Sequence, residues 1–189
     1  RSRSRVTGGQ RPVTARSFTP EFRAELTELM RWRRDVRRGR TDPVPEDLLA
    51  RCLDSLRRAP AVGLSEPWRV LRVDSAEARA AAAANFAAAN AEALAGQNGK
   101  KAADYARLKL SGMDAAPVQL ASYCDTDPAK GSGLGAASMP QMRQYSVVSG
   151  VTMMWLPARA EGLGLGWVSI LDPDQLARDL SVPATWYVL

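Results

Sequence analysis

The stretch LPARAEGLGLGWVSILDP, residues 156–173, contains the end of one predicted helix, a predicted strand and the start of another helix. Gly162 follows the periodic residues of the first helix, at a place where glycine commonly ends a helix in a left-handed conformation. The run WVSIL, residues 167–171, is short and largely apolar, which is typical of a strand. Asp172-Pro173 then puts a capping carboxylate before a proline, which predicts a short helix ending at Leu180.

The glycines of this stretch do not form a dinucleotide-binding fingerprint. Such a fingerprint follows a strand and opens a helix, whereas these glycines follow a predicted helix and lead into a predicted strand. Gly164 and Gly166 could instead let the backbone approach a flat ligand closely, because they carry no side chain.

Helices and strands are also predicted on both sides of this stretch. Thr19, Pro20 and Glu21 start a first helix with a capping hydroxyl, a proline and an acid. Further helices are expected over residues 45–58, 76–95, 100–110 and 140–162, and the last of these is predicted to be the longest. Strands are expected over residues 69–73, 118–123 and 186–189, with loops over residues 59–68 and 125–138. The predicted fold class is α+β, a small sheet on which long helices pack.

The helix over residues 140–162 is expected to bury one broad face. Its large residues recur at helical spacing. The predicted inner face consists of Met142, Tyr145, Val148, Val151, Thr152, Trp155, Leu156 and Arg159.

The composition limits the chemistry that the chain can perform. It has no histidine, which excludes a Ser-His-Asp triad, a Cys-His pair and the usual histidine-bearing zinc sites. Cys52 and Cys124 are far apart and lack partner spacing, so both are expected to be buried structural thiols. Demanding chemistry would then be carried by a cofactor, for which the protein supplies orientation and electrostatics.

The charge of the chain permits several kinds of partner. The net charge of +6 on 189 residues suits a phosphate-bearing, nucleic-acid or membrane-surface partner. Arginines among Ser, Gly, Thr and Pro predict a disordered basic arm over residues 1–17, before a domain over residues 18–189. No run is apolar enough for a signal peptide or a membrane span, so a soluble cytoplasmic protein is expected. Both ends look cut, because the first residue is not Met and the last strand stops as it begins.

The segment WRRDVRRGR, residues 32–40, is the strongest candidate site. Six arginines lie between residues 31 and 40, and Asp35 is the carboxylate among them. The arginines could complement a helix dipole, bind nucleic acid, or bind the phosphate of a small molecule bidentately. The nucleic-acid alternative is weakened by the scarcity of interleaved aromatics. Asp35 cannot bind a phosphate directly, so we expect it to orient an arginine or to serve as a base.

Two further places contain ambiguous polar residues. Ser169 lies within the apolar predicted strand, where its hydroxyl either bonds to neighbouring backbone or faces a ligand. Ser65 and Glu66 lie in the loop GLSEPW, whose Gly63 and Pro67 are turn residues under either interpretation.

Five segments together resemble one family of flavoproteins. They are RRDVR (33–37), APAVGLSEPWR (59–69), YARLKLSGM (105–113), MPQMRQYSVV (139–148) and the stretch quoted first. In order and character they resemble the 5,6-dimethylbenzimidazole synthases, the flavin-destroying branch of the nitroreductase-like fold. The resemblance covers nearly all of residues 18–189, and its most specific parts are the Asp35 of RRDVR and the run GWVSILDP.

The resemblance implies a homodimer with a central antiparallel-type sheet, long helices, no stable metal, and FMN held between the subunits. Reduced FMN would be the substrate and would also activate dioxygen, and its ring would be contracted to 5,6-dimethylbenzimidazole, the lower ligand of vitamin B12. The ribityl phosphate would leave largely as erythrose 4-phosphate. Electrons would come from a separate flavin reductase, or indirectly from NAD(P)H. Neither nucleic acid nor a membrane is an expected partner.

The resemblance also implies roles for individual residues. Arg33, Arg34 and Arg37 would hold the phosphate and the flavin edge. Asp35 would be the acid/base or orienting carboxylate near the ring. Ser169 would help to position the ring or its oxygen adduct. The other residues implied in FMN contacts are Val36, Gly63, Leu64, Ser65 and Val168.

Some positions depart from the family's pattern. Ala61 stands where Ser is usual and Glu66 where an amide is usual, so the FMN affinity could be lower. Members of the family continue past Leu189, so this domain looks truncated at its C-terminal end. The resemblance also implies that residues 85–113 form a lid over the flavin. The alternative function is an NAD(P)H-dependent FMN nitroreductase that keeps its flavin intact. Asp35 and Ser169 argue against it, because a recycling enzyme needs neither for ring cleavage.

Overall fold

The computed structural model describes residues 16–95 and 112–189. Most of the predicted arm over residues 1–17, the predicted helix over residues 100–110 and much of the predicted lid over residues 85–113 lie outside the described residues. The described residues form helices around a small antiparallel sheet.

The helix starts predicted from capping residues are confirmed. The described helices are α1 (Pro20–Trp32), α2 (Glu46–Asp54), α3 (Ala76–Ala95), α4 (Gly112–Ala115), α5 (Met142–Ala160) and α6 (Pro173–Asp179), with 3₁₀ turns over Ser55–Arg58 and Val62–Leu64. The Thr19 hydroxyl accepts a hydrogen bond from the N–H of Phe22 at 3.2 Å. A carboxylate oxygen of Asp172 accepts two more at the start of α6. Gly162 has a φ of +84° just after α5, as expected of a residue that ends a helix.

The sheet contains β1 (Trp68–Arg72), β2 (Leu120–Asp125) and β3 (Trp186–Val188), with β2 in the centre and both pairings antiparallel. The strand predicted over residues 118–123 begins and ends two residues later than expected. The strand predicted over residues 167–171 is wrong, because those residues form no strand. Both edges of β2 are already paired, one with β1 and the other with β3. Residues 167–171 therefore cannot pair with β2. The nearest pairing is a single parallel bridge between Asp35 and Leu165.

Helix α5 is the centre of the core. One buried cluster joins it to α2 and contains Cys52, Leu56, Met154 and Ala158. A second cluster joins it to β2 and contains Cys124, Val147 and Val151. The buried cysteines of both clusters confirm the expectation that they are structural.

The predicted inner face of α5 is largely wrong. Val151 and Trp155 are buried as expected, but Tyr145 and Val148 are 54% and 39% exposed. The buried positions include small residues instead, among them Gly150, whose added Cβ would lie 3.1 Å from a Leu56 methyl carbon. Apolar residues occur nearly all round this helix, so their spacing does not identify which side lies closest to its neighbours. The helix is also one residue shorter than α3, which has 20 residues against 19, so it is not the longest.

Two glycines let distant parts of the chain cross closely. The Val36 N–H donates to the carbonyl oxygen of Leu165 at 2.8 Å. A Cβ added at Gly166 would lie 2.5 Å from the Val36 carbonyl oxygen, and one added at Gly164 would lie 2.9 Å from a Val36 methyl carbon. The space that the sequence suggested for a flat ligand beside Gly164 and Gly166 is therefore occupied by Val36.

None of the helices in residues 16–95 and 112–189 is long and apolar enough to cross a membrane.

Replacing Gly166 by alanine should lower the free energy of unfolding by about 1–3 kcal/mol, because the new methyl group would collide with backbone that cannot rotate away. Urea denaturation would measure the loss. The matched control is Gly39→Ala, since no heavy atom of the described residues lies within 4 Å of a Cβ added there. Equal effects of the two substitutions would contradict a tight crossing at Val36.

Neither cysteine should react with a thiol reagent in the native protein at about pH 8. Cys52 and Cys124 are 3% and 0% exposed, and burial raises the pKa of the Cys124 thiol to about 11. Burial also raises the pKa of Cys52. The thiolate that attacks the reagent is therefore scarce at both positions. Colorimetric titration should detect two thiols only after unfolding in guanidinium, and a fast native reaction would contradict this.

Candidate functional site

The segment of residues 33–37, here called the arginine segment, leaves α1 as an extended strand-like stretch. The Arg33 N–H still bonds to the Leu29 carbonyl oxygen at 2.9 Å, but the ψ of Arg33 is 112°, so the helix ends there. The next residues run beside residues 165–167, held by the Val36–Leu165 hydrogen bond. The cationic end of α1 is thereby fixed against the glycine-rich stretch.

Asp35 is held through both carboxylate oxygens. Oδ1 accepts a hydrogen bond from the backbone N–H of Trp167 at 2.8 Å. Oδ2 accepts one from Nε of Arg37 at 3.1 Å. The Asp35 side chain is nevertheless 37% exposed, and each oxygen retains a lone pair. The arrangement is a fixed carboxylate that can still accept a proton or a hydrogen bond from a ligand.

The arginines next to Asp35 have different environments. The guanidinium of Arg33 lies over the indole of Trp155, with Cζ 4.8 Å from the ring centroid. The guanidinium of Arg34 donates to the Arg33 carbonyl oxygen at 3.1 Å. In residues 16–95 and 112–189, neither Arg33 nor Arg34 forms an ion pair, whereas Arg37 pairs with Asp35. The arginine segment thus carries three guanidinium groups and one carboxylate, which leaves positive charge for a bound phosphate.

Residues 167–169 lie next to the arginine segment, because the Trp167 N–H bonds to Asp35. The Trp167 ring lies 6.3 Å from that of Trp155, Val168 is half-buried and Ser169 is exposed. Ser169 follows the residue that anchors Asp35 by two positions, or about 7 Å of extended chain. Two distant parts of the chain therefore lie side by side in the structure. They contain the predicted site residues Arg33, Arg34, Asp35, Val36, Arg37, Val168 and Ser169.

The loop of residues 62–66 carries the other candidate contacts and has an unusual backbone. Gly63, Leu64 and Glu66 have φ values of +56°, +58° and +43°. Such conformations are costly for Leu and Glu, and a second loop braces them: the Ser132 N–H donates to the Gly63 carbonyl oxygen at 3.1 Å, and Glu66 pairs with Lys130. This ion pair holds the pKa of Glu66 below its usual value.

The side chains of this loop point in opposite directions. Leu64 is 77% exposed, whereas Ser65 is only 4% exposed. The Ser65 hydroxyl is buried and has no hydrogen-bond partner among the described residues. Of these two side chains only Leu64 is exposed to a ligand in this structure, and the expected FMN contact of Ser65 stays a prediction.

The loop of residues 62–66 and the arginine segment lie on opposite sides of α5. The loop meets the helix at Ser146, whose hydroxyl accepts from the Val62 N–H at 3.0 Å. The arginine segment meets it at Trp155. Nine residues separate these positions, which is two and a half turns, or about 14 Å along the axis and half a turn around it. One chain therefore does not bring Gly63, Leu64 and Ser65 together with the arginine segment.

Two features of the site were not predicted. The backbone N–H of Trp167 anchors Asp35, and a backbone donor leaves no signal in the sequence. Trp155 supports Arg33, but an aromatic residue at helical spacing is ordinarily interpreted as core. Groups of carboxylates and cysteines arranged to bind a metal are absent from the part of the chain that the structure describes.

Comparisons with known proteins agree with this architecture. The Nitroreductase family matches residues 30–189. The 5,6-dimethylbenzimidazole synthase of Rhodospirillum rubrum is 49% identical over 169 residues, which cover 89% of this chain and 80% of that protein. A synthase of the same name from Rhodobacter capsulatus is 49% identical over 170 residues, covering 90% of this chain and 82% of that protein.

The similarity in structure extends beyond these relatives. A crystal structure of iodotyrosine deiodinase bound to FMN and 3-iodo-L-tyrosine superposes with a TM-score of 0.71 at 18% identity, covering 87% of this chain and 85% of that one. At this identity the likeness establishes the fold alone, and it confirms the nitroreductase-like α+β fold expected from the sequence. With the match over residues 30–189 and the identity to both synthases, this chain belongs to the nitroreductase family, in the branch of the 5,6-dimethylbenzimidazole synthases.

Proposed function

We propose that this chain is a 5,6-dimethylbenzimidazole synthase, which fragments reduced FMN with dioxygen and releases 5,6-dimethylbenzimidazole and erythrose 4-phosphate. The observation that carries the proposal is the Asp35 carboxylate, fixed by two donors within an arginine-rich segment. It occurs in a chain 49% identical to two synthases over about nine-tenths of its length. When bound, the reduced flavin supplies the electrons that activate dioxygen.

The residues present fit the phosphate of FMN. The guanidinium of Arg33 has no carboxylate partner among the described residues, and Arg34 and Arg37 lie beside it in the sequence. Forked guanidinium donors match the oxygens of a phosphate. Arg33, Arg34 and Arg37 would hold the phosphate and the flavin edge, while Val36 and Val168 would line the ring.

Asp35 and Ser169 would act on the reacting part of the flavin. Because Trp167 and Arg37 fix both oxygens of Asp35, its remaining lone pairs have a defined direction, as a base requires. It would accept a proton from the substrate near the ring and the first ribityl carbon. The exposed Ser169 hydroxyl would donate a hydrogen bond that positions the ring.

A second copy of the chain would complete the site. Helix α1 has no buried residue, and it exposes an apolar stripe in which Phe22, Leu26 and Met30 are 44%, 38% and 48% exposed. Tyr145 and Val148 of α5 are also exposed. A homodimer that buries these residues would bring the loop of residues 62–66 of one copy to the arginine segment of the other. FMN would then lie between the subunits.

The remaining partners follow from the reaction. Reduced FMN would come from a separate flavin reductase, or indirectly from NAD(P)H, and the protein would work in the cytoplasm. Aerobic incubation of the purified protein with FMN and a reducing system, followed by mass analysis, tests the function. Formation of 5,6-dimethylbenzimidazole is expected. Intact FMN with steady NAD(P)H oxidation would identify a conventional nitroreductase instead.

Replacing Asp35 by asparagine should lower the rate of 5,6-dimethylbenzimidazole formation by about 10²–10⁴-fold, the usual contribution of a general base. FMN should still bind, because an amide oxygen can still accept the hydrogen bond from the Trp167 N–H. The control is Asp42→Asn, which disrupts a similar Arg–Asp pair two residues apart, Arg40–Asp42, on the exposed surface. Full product formation by Asp35→Asn with FMN bound would remove Asp35 from the chemistry.

Replacing Leu26 by glutamate should produce a monomer that binds FMN poorly, because a charge would lie in the apolar stripe of α1. Stability of the separate chain should change little, since Leu26 is 38% exposed. Light scattering after gel filtration and an FMN titration would measure both effects. Ala24→Glu is the control, because it adds the same charge about 160° around the helix. If Leu26→Glu remains a dimer, the interface lies elsewhere.

A further inference from the structure

The indole of Trp155 is the side chain on which the Arg33 guanidinium lies. The Arg33 Cζ is 4.8 Å from the ring centroid, and Trp155 is only 7% exposed. A cation over a partly desolvated indole is held more strongly than one over an exposed ring. Within residues 16–95 and 112–189, no carboxylate competes with the ring for this guanidinium, whereas Asp35 binds the neighbouring Arg37. The ring face is thus the principal described contact that orients Arg33.

The choice of tryptophan at this position has a cost. Its indole N–H is buried and has no acceptor among the described residues, and an unsatisfied buried donor destabilises a protein. Phenylalanine would fill much of the same space without that penalty. Tryptophan, however, offers a cation the most favourable ring face of the three aromatic residues. The orphaned donor therefore points to a role for the ring face at Arg33.

We propose that Trp155 is a positioning residue for recognition of the phosphate of FMN, an inference that rests on the proposed function. Its ring holds the Arg33 guanidinium in place from one side, so that the guanidinium donors remain available to the phosphate oxygens. The neighbouring Trp167 ring lies 6.3 Å away, and the backbone of that residue holds Asp35 at 2.8 Å. The two tryptophans would thus fix the guanidinium that binds the phosphate and the carboxylate that lies near the flavin ring.

This role predicts an effect on one part of the ligand. Trp155 should strengthen the binding of FMN and leave the binding of riboflavin, which lacks the phosphate, nearly unchanged. A tryptophan that merely supported the core would affect both flavins equally. The difference between the two ligands therefore separates positioning of Arg33 from general support of the fold.

The experiment measures dissociation constants of oxidised FMN and riboflavin by flavin fluorescence for the full chain and for Trp155→Leu, Trp155→Phe and Arg33→Met. Trp155→Leu should weaken FMN binding about tenfold, as loss of a desolvated cation–π contact implies, and riboflavin binding by less than about twofold. Trp155→Phe should give a smaller loss in the same direction. In the Arg33→Met background, Trp155→Leu should cause no additional loss of FMN affinity.

A matched control comes from another arginine–indole pair of the described residues, which also include Arg69 over Trp186. Arg159 lies over the Trp32 ring at 5.7 Å, and Trp32 is 62% exposed. Trp32→Leu should therefore leave the ratio of the two dissociation constants unchanged. If Trp155→Leu proves unfolded by circular dichroism, Trp155→Phe and its combination with Arg33→Met decide the question.

Three results would overturn the proposal. They are equal losses for FMN and riboflavin, an unchanged FMN affinity in Trp155→Leu, and additive losses in the double variant. A wild-type chain that prefers FMN over riboflavin but forms no 5,6-dimethylbenzimidazole would instead contradict the proposed function while leaving the role of Trp155 intact.

Discussion

The hydrogen bond from the Val36 N–H to the Leu165 carbonyl oxygen is the constraint on which the rest of the site depends. It joins two segments about 130 residues apart in the chain, and it exists only because Gly164 and Gly166 leave room for Val36. Once these segments are in register, the Trp167 N–H lies against the Asp35 carboxylate. This one backbone crossing thus fixes the Asp35 carboxylate within the arginine-rich segment that follows α1.

Helix α5 supplies the framework for this crossing. Its small and branched residues fill the core against α2 and β2, which fixes the helix relative to the sheet. Trp155 then presents a ring to Arg33 on one side, while Ser146 ties down the loop of residues 62–66 on the other. The same rigid element therefore positions two sets of candidate ligand contacts that face away from each other, and this separation is the structural reason for invoking a second copy.

The sequence predicted the parts of the fold that local chemistry determines. Thr19, Asp172 and Gly162 set helix ends through contacts within a few residues, so their roles could be inferred without knowing the fold. The partner of residues 167–171 and the buried side of α5 depend on distant chain segments; the first was not predicted, and the second was predicted largely wrongly. Asp35 and the arginines were identified as candidates from residue type and resemblance. The contacts that hold Asp35 and Arg33 in place could not be predicted. The donor to Asp35 is a backbone amide, and Arg33 is supported by a residue that periodicity assigns to the core.

The absence of any buried residue in α1 has a thermodynamic consequence. A helix of 13 residues is only marginally stable in water without tertiary packing. In the proposed dimer the partner's surface would add to the packing that α1 has against α5 within one chain, so the ordering of α1 would be coupled to association. Since α1 ends at the arginine segment, mass action would then govern the site itself. Dilution would separate the copies and loosen the arginines together, and the affinity for flavin would depend on the concentration of the protein.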